Sequence, residues 1–264
     1  MKKYKTDWYL YYLINVTLII LVSFPIYWAF VSSIKQPDEL ITNTPTLFPK
    51  NPTFESYERI WNLEPTSSRG NIRSAFMNSA IVSIGTVVVS AVISTLAAYA
   101  LTILRTPFRH FIFLLIIMPI LIPGISLLIP LYKLVRELGL MNSYLGLILI
   151  HSTGMLTLGV FLMRNAFMSI PTSLREVALL EGSSELRILF TVMLPLAIPG
   201  LLTLMVFALY GSWNDFILAF LFVNTIDMEM LNVFLMKLTF AGSQFDTFWG
   251  LLNAGAIISF VPII

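Results

Sequence analysis

Residues 75–104 form one uncharged, mainly apolar stretch. A helix needs about 20 apolar residues to cross a hydrocarbon core of about 30 Å, so this stretch is long enough to span a bilayer. Five more stretches qualify or nearly do, at 8–34, 108–132, 145–163, 196–223 and 249–264. Lipid satisfies no backbone N–H or C=O group, which leaves α-helices or a closed β-barrel as the only spanning structures. A barrel strand would alternate polar and apolar residues over about ten positions. Residues 81–104 do not alternate. The expected fold class is therefore all-α, a polytopic membrane protein with six transmembrane helices.

Composition agrees. Of 264 residues, 57% are hydrophobic and 11% charged, and the mean hydropathy is +0.85. An ordinary globular domain carries about 25% charged residues, so the chain lacks the polar atoms to coat a water-facing surface. Disorder is excluded too, because it requires low hydrophobicity. A net charge of +2 from 16 cations and 14 anions leaves no basis for a nucleic-acid partner. There is no cysteine, hence no disulfide, thiol nucleophile or cysteine metal site. His110 and His151 stand in no metal-binding spacing, and the methionines are scattered, so no metal site is expected.

Residues 1–264 read as a single transmembrane domain. Lys2, Lys3 and Lys5 precede the first span, which is too long for a signal peptide and has no small-residue cleavage site after it. The chain stops inside the short sixth span, so further C-terminal sequence is expected. With the N-terminus inside, inner and outer segments hold eight Lys or Arg each. Five of the outer eight lie in the loop 35–74, and long loops follow the positive-inside rule poorly. Without that loop the balance is eight to three, which places both termini in the cytoplasm of a cell-membrane protein. Loop 35–74 holds Pro37, Pro45, Pro49, Pro52 and Pro65 with Phe54, Tyr57 and Trp61 among them. It reads as an outer cap with short surface helices. Pro25, Pro199 and Gly211 interrupt other spans, and a single such residue is commonly tolerated in a membrane helix. Pro119, Pro123, Gly124 and Pro130 together in the third span point to a functional bend.

The segment 164–195, between the fourth and fifth spans, is long for a polytopic connection. Ser173 with Glu176 three residues later reads as a capping box that starts a helix. Gly182 is placed to end it in a left-handed conformation. Ser183 and Ser184 then start a second helix through Glu185, Arg187 and Phe190 to Pro195. Two turns of helix are marginal alone in water. The first of these helices carries Glu176 and Glu181 against the single base Arg175, which disfavours an anionic lipid surface and favours a groove in a soluble partner.

This segment resembles the signature loop of permease subunits of binding-protein-dependent ABC importers, which reads Glu-Ala-Ala, three residues, Gly, nine residues, Ile, one residue, Leu-Pro. Here Glu176, Val177, Ala178, Gly182, Val192, Leu194 and Pro195 keep that spacing, with Val177 replacing Ala and Val192 replacing Ile. Other stretches are similar to the carbohydrate-uptake subfamily, and to its second, maltose-type permease above all. They are Pro25, Trp28, Lys35 and Glu39 in the first span and its exit, then Asn78 and Ser79, then Ala97 to Ala100. Pro130 to Tyr132, the run Leu138 to Leu149, and Trp213, Asn214, Asp215 and Phe216 follow in the same order.

The resemblance implies a type I importer permease fold with a cytoplasmic coupling helix. Arg175, Glu176, Val177, Ala178, Leu179, Glu181, Gly182 and Pro195 would then carry the movement of a partner ATPase into the spans. It further implies a second, homologous permease, two cytoplasmic ATPase subunits that bind the ATP and Mg, an extracytoplasmic solute-binding protein and a di- or oligosaccharide as cargo. No GxxxxGK[ST] occurs in this chain, so hydrolysis would belong to partners and the chain is not expected to be an enzyme.

Asp215 is the costliest residue of the membrane reading. A carboxylate near mid-span costs about 2.5–3.5 kcal/mol on insertion scales. It would lie with Tyr210, Trp213 and Asn214 on the translocation path, or else serve in helix packing. His151, beside Ser152 and Thr153, reads as an interhelical hydrogen-bonding group. Two other readings remain at this point. One is an ABC permease for a non-sugar solute. The other is a proton-coupled secondary transporter using Asp215, against which stands the lack of an obvious repeat between the halves.

Overall fold

The computed structural model describes residues 2–42, 44–66, 68–104, 106–240 and 248–263. Among them all regular structure is helical. In chain order the α-helices are α1 (Lys2–Ser33), α2 (Pro37–Leu40), α3 (Glu55–Trp61), α4 (Ile72–Thr102), α5 (Arg109–Ile117), α6 (Leu128–Glu137) and α7 (Tyr144–Met168). They continue with α8 (Thr172–Leu180), α9 (Glu185–Ile188), α10 (Leu194–Leu196), α11 (Ile198–Trp213), α12 (Ile217–Phe222), α13 (Leu231–Phe240) and α14 (Phe248–Phe260).

Three helical segments are long and apolar enough to cross a membrane unbroken, namely Trp8–Ser33, Ile72–Thr102 and Tyr144–Met168. The third expected span is instead two arms, Arg109–Leu121 and Gly124–Glu137, set at 96°. Its breakers divide the labour. Pro119 sits in a 3-10 turn at Met118–Leu121, and Pro123 precedes a second at Gly124–Leu127. Pro130 falls in the first turn of α6, where a missing N–H costs nothing. The fifth expected span starts two residues later than its apolar run. An 81° bend separates Glu185–Leu196 from Ile198–Trp213, and Pro199 lies in the first turn of α11. Within loop 35–74, α2 and α3 are the short helices.

The described residues divide into two compact units, one of residues 1–76 and 233–264, the other of residues 77–232. In the first, α14 packs along α1 and α3, with Ile60 of α3 fully buried. Lys35 is buried as well. Its Nζ donates to the Thr46 carbonyl and lies 4.8 Å from the centre of the Trp28 ring. Glu39 accepts from the Thr46 hydroxyl at 2.5 Å and from the Lys50 backbone N–H. These bonds fold the proline-rich loop back over the end of α1.

In the second unit α7 packs along α11. Ser83, Thr86, Ser90 and Ser94 make a fully buried stripe along one face of α4. Small side chains of this kind let helices approach closely in a bilayer. A β-carbon on Gly159 of α7 would strike Ser94 Oγ. Toward one end of this unit Tyr99, Met163, Phe167, Ile188, Leu189, Met193 and Leu204 form a continuous buried core, and Ala178 of α8 belongs to it.

Candidate functional site

The loop between α7 and α11 is an ordered structure with bonded ends. Helix α8 begins two residues before the expected start. Pro171 takes the N-cap position with φ −60° and ψ 129°, and no side chain caps the helix. The Ser173–Glu176 capping box therefore does not form. Pro171, whose ring holds φ near the helical value, sets the entry, which leaves Ser173 and Glu176 already inside the helix. The exit is as expected. Gly182 adopts φ +81°, its N–H donates to Leu179 O at 3.0 Å, and the Ser183 N–H donates to Ala178 O at 3.0 Å. This pair of bonds is the Schellman closure. Among the described residues, and apart from its own chain neighbours, no atom lies within 4 Å of where a Gly182 β-carbon would stand. The demand for glycine is thus one of backbone conformation rather than of space.

The second helix of the loop is also different from its expected continuous run. After α9 the turns widen into a π segment at Leu189–Met193 before α10. Pro195 offers no N–H to the preceding turn, and the wider turn relieves that gap.

One ion pair joins the two helices. Arg175 donates to both Glu185 oxygens, from Nε at 3.3 Å to Oε2 and from an Nη to Oε1. Tyr99, near the end of α4, donates its hydroxyl to Glu185 Oε2 at 2.8 Å. The Arg175 bonds hold the Glu185 carboxyl below the ordinary glutamate range, with the Tyr99 hydroxyl adding to the effect. Arg175 is pushed upward by the same bond. Helix α8 is thereby tied to α9 and to the long helix α4, so a displacement of α8 cannot leave α4 behind without breaking these bonds.

The faces of α8 are unequal. Ala178 is 8% exposed and packs against the unit's own core, so it is not available to a partner. Leu180 is 88% exposed and Val177 54%. Leu174, Glu176, Leu179 and Glu181 are exposed too, as are Leu186 and Phe190 beyond the turn and Pro195 in α10. This is an outward apolar surface carried on a bonded frame.

The other candidate residues lie at a break in the fifth span. Helix α11 ends at Trp213, and α12 begins at Ile217. Asp215 is therefore in no helix interior. Its carboxylate accepts from the backbone N–H groups of Leu218 at 3.2 Å and Ala219 at 2.9 Å, which caps α12. His151 Nε2 of α7 lies 3.7 Å from Asp215 Oδ2, too far for a hydrogen bond. Trp213 is buried, whereas Tyr210 and Asn214, one helical turn apart, are exposed. Asn214 donates its side-chain amide to Tyr210 O at 2.9 Å. The four residues thus separate into an inward pair and an outward pair.

Several residues that shape both places were not singled out from sequence. Glu185 is ten residues from Arg175 and reads there only as part of a second helix. Asn232 donates to the carbonyls of Trp213 at 3.0 Å and Asp215 at 3.2 Å, closing the end of α11. Elsewhere in the same unit Asn78, named above for the resemblance alone, donates to the carbonyls of Asp227 and Glu229 and accepts from the Tyr144 hydroxyl. No spacing rule connects positions so far apart, and the polar type of these residues in apolar surroundings was the only available signal.

A multi-pass helical membrane protein with such a loop has the form of a permease subunit of an ABC importer. Residues 90–264 match the model of the family described as binding-protein-dependent transport system inner membrane component, and the chain belongs to that family. It is 32% identical, over 100% of this chain and 92% of the other, to a probable starch degradation products transport system permease of Thermoanaerobacterium thermosulfurigenes. It is 31% identical to the inner membrane ABC transporter permease YcjP of Escherichia coli, over 93% of this chain and 85% of that one. Against the trehalose transport system permease SugB of Mycobacterium tuberculosis the identity is 32%, over 91% and 84%. In structure it is similar to a bacterial ABC transporter involved in the import of the acidic polysaccharide alginate. The TM-score there is 0.87 at 23% identity, covering 100% of this chain and 94% of that one.

Proposed function

We propose that this chain is one of two membrane permeases of an ATP-driven sugar importer. Its cargo is a di- or oligosaccharide delivered by an extracytoplasmic binding protein. The partners are a second, homologous permease and two cytoplasmic ATPase subunits, which hold the ATP and Mg. Both termini and the loop 164–195 face the cytoplasm, and the exposed face of α8 seats in a cleft of an ATPase subunit. The observation that carries this reading is the pairing of an exposed apolar face at Val177 and Leu180 with an inner face bonded to α4 through Arg175, Glu185 and Tyr99. A short helix so anchored passes a displacement on instead of absorbing it. The sugar class is supported by the relatives named for starch degradation products and trehalose. The test is to purify the assembly through this chain, reconstitute it in vesicles with its binding protein, and measure ATP-dependent uptake of a panel of oligosaccharides. Uptake that follows a proton gradient without ATP, or a preparation lacking any ATPase subunit, would overturn the reading.

A further inference from the structure

A small cavity lies in the first unit where the end of α1 meets α2, the following loop and the start of α14. It measures about 160 Å³, and Trp28, Lys35, Glu39, Thr42, Trp249 and Asn253 are among its lining residues. We infer that it is a subsite for one neutral pyranose ring. The inference deepens the sugar-import reading and rests on it for the ligand class, and on its orientation for placing the cavity on the extracytoplasmic side.

Size is the first constraint. Sites for drug-sized ligands occupy about 300–1,000 Å³, so this cavity suits one ring rather than a chain of them. The second is its aromatic rim. Trp249 is 59% exposed, an indole that pairs a broad apolar face with a polar edge, as the C–H face and hydroxyls of a sugar require. The third is polarity. The Asn253 side-chain N–H donates to Trp249 O at 2.7 Å, which orients its Oδ1 as an acceptor. A carboxylate offers about four acceptor sites, and the bonds to Glu39 from Thr46 and Lys50 leave capacity for a hydroxyl.

Charge decides between ligands. Lys35 is 2% exposed, and its amine is engaged by the Thr46 carbonyl and the Trp28 ring, so it offers no free cation to a phosphate. Glu39 stays ionised, held below the ordinary carboxylate range first by the Thr46 hydroxyl. The cavity therefore presents hydrogen-bond acceptors, one carboxylate and one ammonium that is already engaged. Phosphate headgroups and acidic sugars find no free cation there to offset the Glu39 carboxylate, and an uncharged polyol needs none.

The experiment uses the intact importer in lipid nanodiscs, labelled with 5-fluorotryptophan and observed by fluorine NMR. Trp249→Phe assigns the resonance. The probes are methyl glycosides of glucose, galactose, mannose and xylose, with galacturonate, phosphocholine and inorganic phosphate alongside. The Trp249 signal is expected to shift saturably with at least one neutral glycoside. Galacturonate should bind about fivefold more weakly, and phosphocholine and phosphate should leave the signal in place. Asn253→Ala should weaken the glycoside about fivefold, and a single sharp unliganded Trp249 signal in that variant reports that the site is folded. A signal unmoved by every neutral glycoside, or moved equally by phosphocholine or galacturonate, would overturn the inference. ATP-driven uptake measured on the same preparation separates the two ideas. Uptake without titration removes the subsite alone, and titration without sugar uptake removes the transport reading alone.

Discussion

Two of the chain's helix interruptions are built in different ways. At Gly182 a backbone conformation makes the turn, with φ +81° and two main-chain hydrogen bonds. At Asn214–Phe216 side chains make it: Asp215 caps the helix that follows and Asn232 closes the one before. The first turn ends a short helix with an exposed apolar face, and the second lies between hydrophobic helices in the fifth span. A backbone turn has one stiff geometry, suited to a part that is pushed. A turn built from capping side chains holds only while each partner stays in place, and it can open when one of them moves.

The largest effect should follow from breaking the backbone turn. Gly182→Val puts a β-branched residue at positive φ, a strain of roughly 1–3 kcal/mol at one position. The Schellman closure would be lost and α8 left unanchored at its exit. Uptake by the reconstituted importer is expected to fall below a tenth of the parent's, with the binding protein's own affinity unchanged. Gly182→Asn, which tolerates the left-handed region, should recover most of it. Equal loss in both variants would show that the turn conformation is not what matters.

A second contrast lies within α8 itself. Ala178→Leu adds three carbons to a position that is 8% exposed in the core, an overpacking of about 1–3 kcal/mol. Val177→Leu on the open face should fold like the parent. Cysteines at Val177 and Leu180 are expected to crosslink to the ATPase cleft, while a cysteine at Ala178 stays unreactive. Crosslinking at Ala178 in place of Val177 would reverse the assignment of the two faces.

These positions show why some features were legible in sequence and others were not. Hydrophobic length marks helices because burial in lipid leaves the backbone no other solution, so the class of fold followed directly. Gly182 was legible because a positive φ selects for one residue type. The capping box at Ser173 and Glu176 was plausible by spacing, yet Pro171 had already fixed the helix entry. Ala178 fits the signature spacing, but spacing does not say which face turns inward, and the structure turns it to the core. Glu185, Tyr99 and Asn232 act across gaps of ten to 86 residues. Their partners become neighbours only after the helices pack, so no local pattern announces them. The 96° elbow at Pro119–Gly124 was foreseeable as a bend from its four breakers, though not its angle.

A more moderate change is expected at the ion pair linking the two helices of the loop. Glu185→Gln keeps the shape and removes the charge. Arg175 and Glu185 are partly open to solvent, with side chains 25% and 37% exposed, so the loss should be modest. Sugar moved per ATP hydrolysed is expected to fall about threefold, while basal hydrolysis persists. Acid should act the same way. Arg175 lowers the folded-state pKa of Glu185, so the pair's contribution is complete above the unfolded value of about 4.3 and is lost as pH falls through the lower folded value. The transport-to-hydrolysis ratio should hold from neutral pH down to that region. A ratio already falling near pH 6 in the parent, or unchanged in Glu185→Gln, would detach the pair from coupling.

The smallest effects belong to the turn held by side chains. Asn232→Ala removes the donor to two carbonyls at the end of α11, a cost of about 1 kcal/mol. Asp215→Asn keeps one acceptor for the N–H groups of Leu218 and Ala219 and should cost about 0.5 kcal/mol. Both variants should assemble, and ATP-driven uptake should drop by less than about threefold. Because Asp215 serves as a cap, uptake by Asp215→Asn is expected to keep the parent's pH profile and to ignore the membrane potential. A proton-coupled path through that carboxylate would instead lose its pH dependence together with its transport, so one uptake-versus-pH series on the parent and this variant decides between a helix cap and a proton carrier.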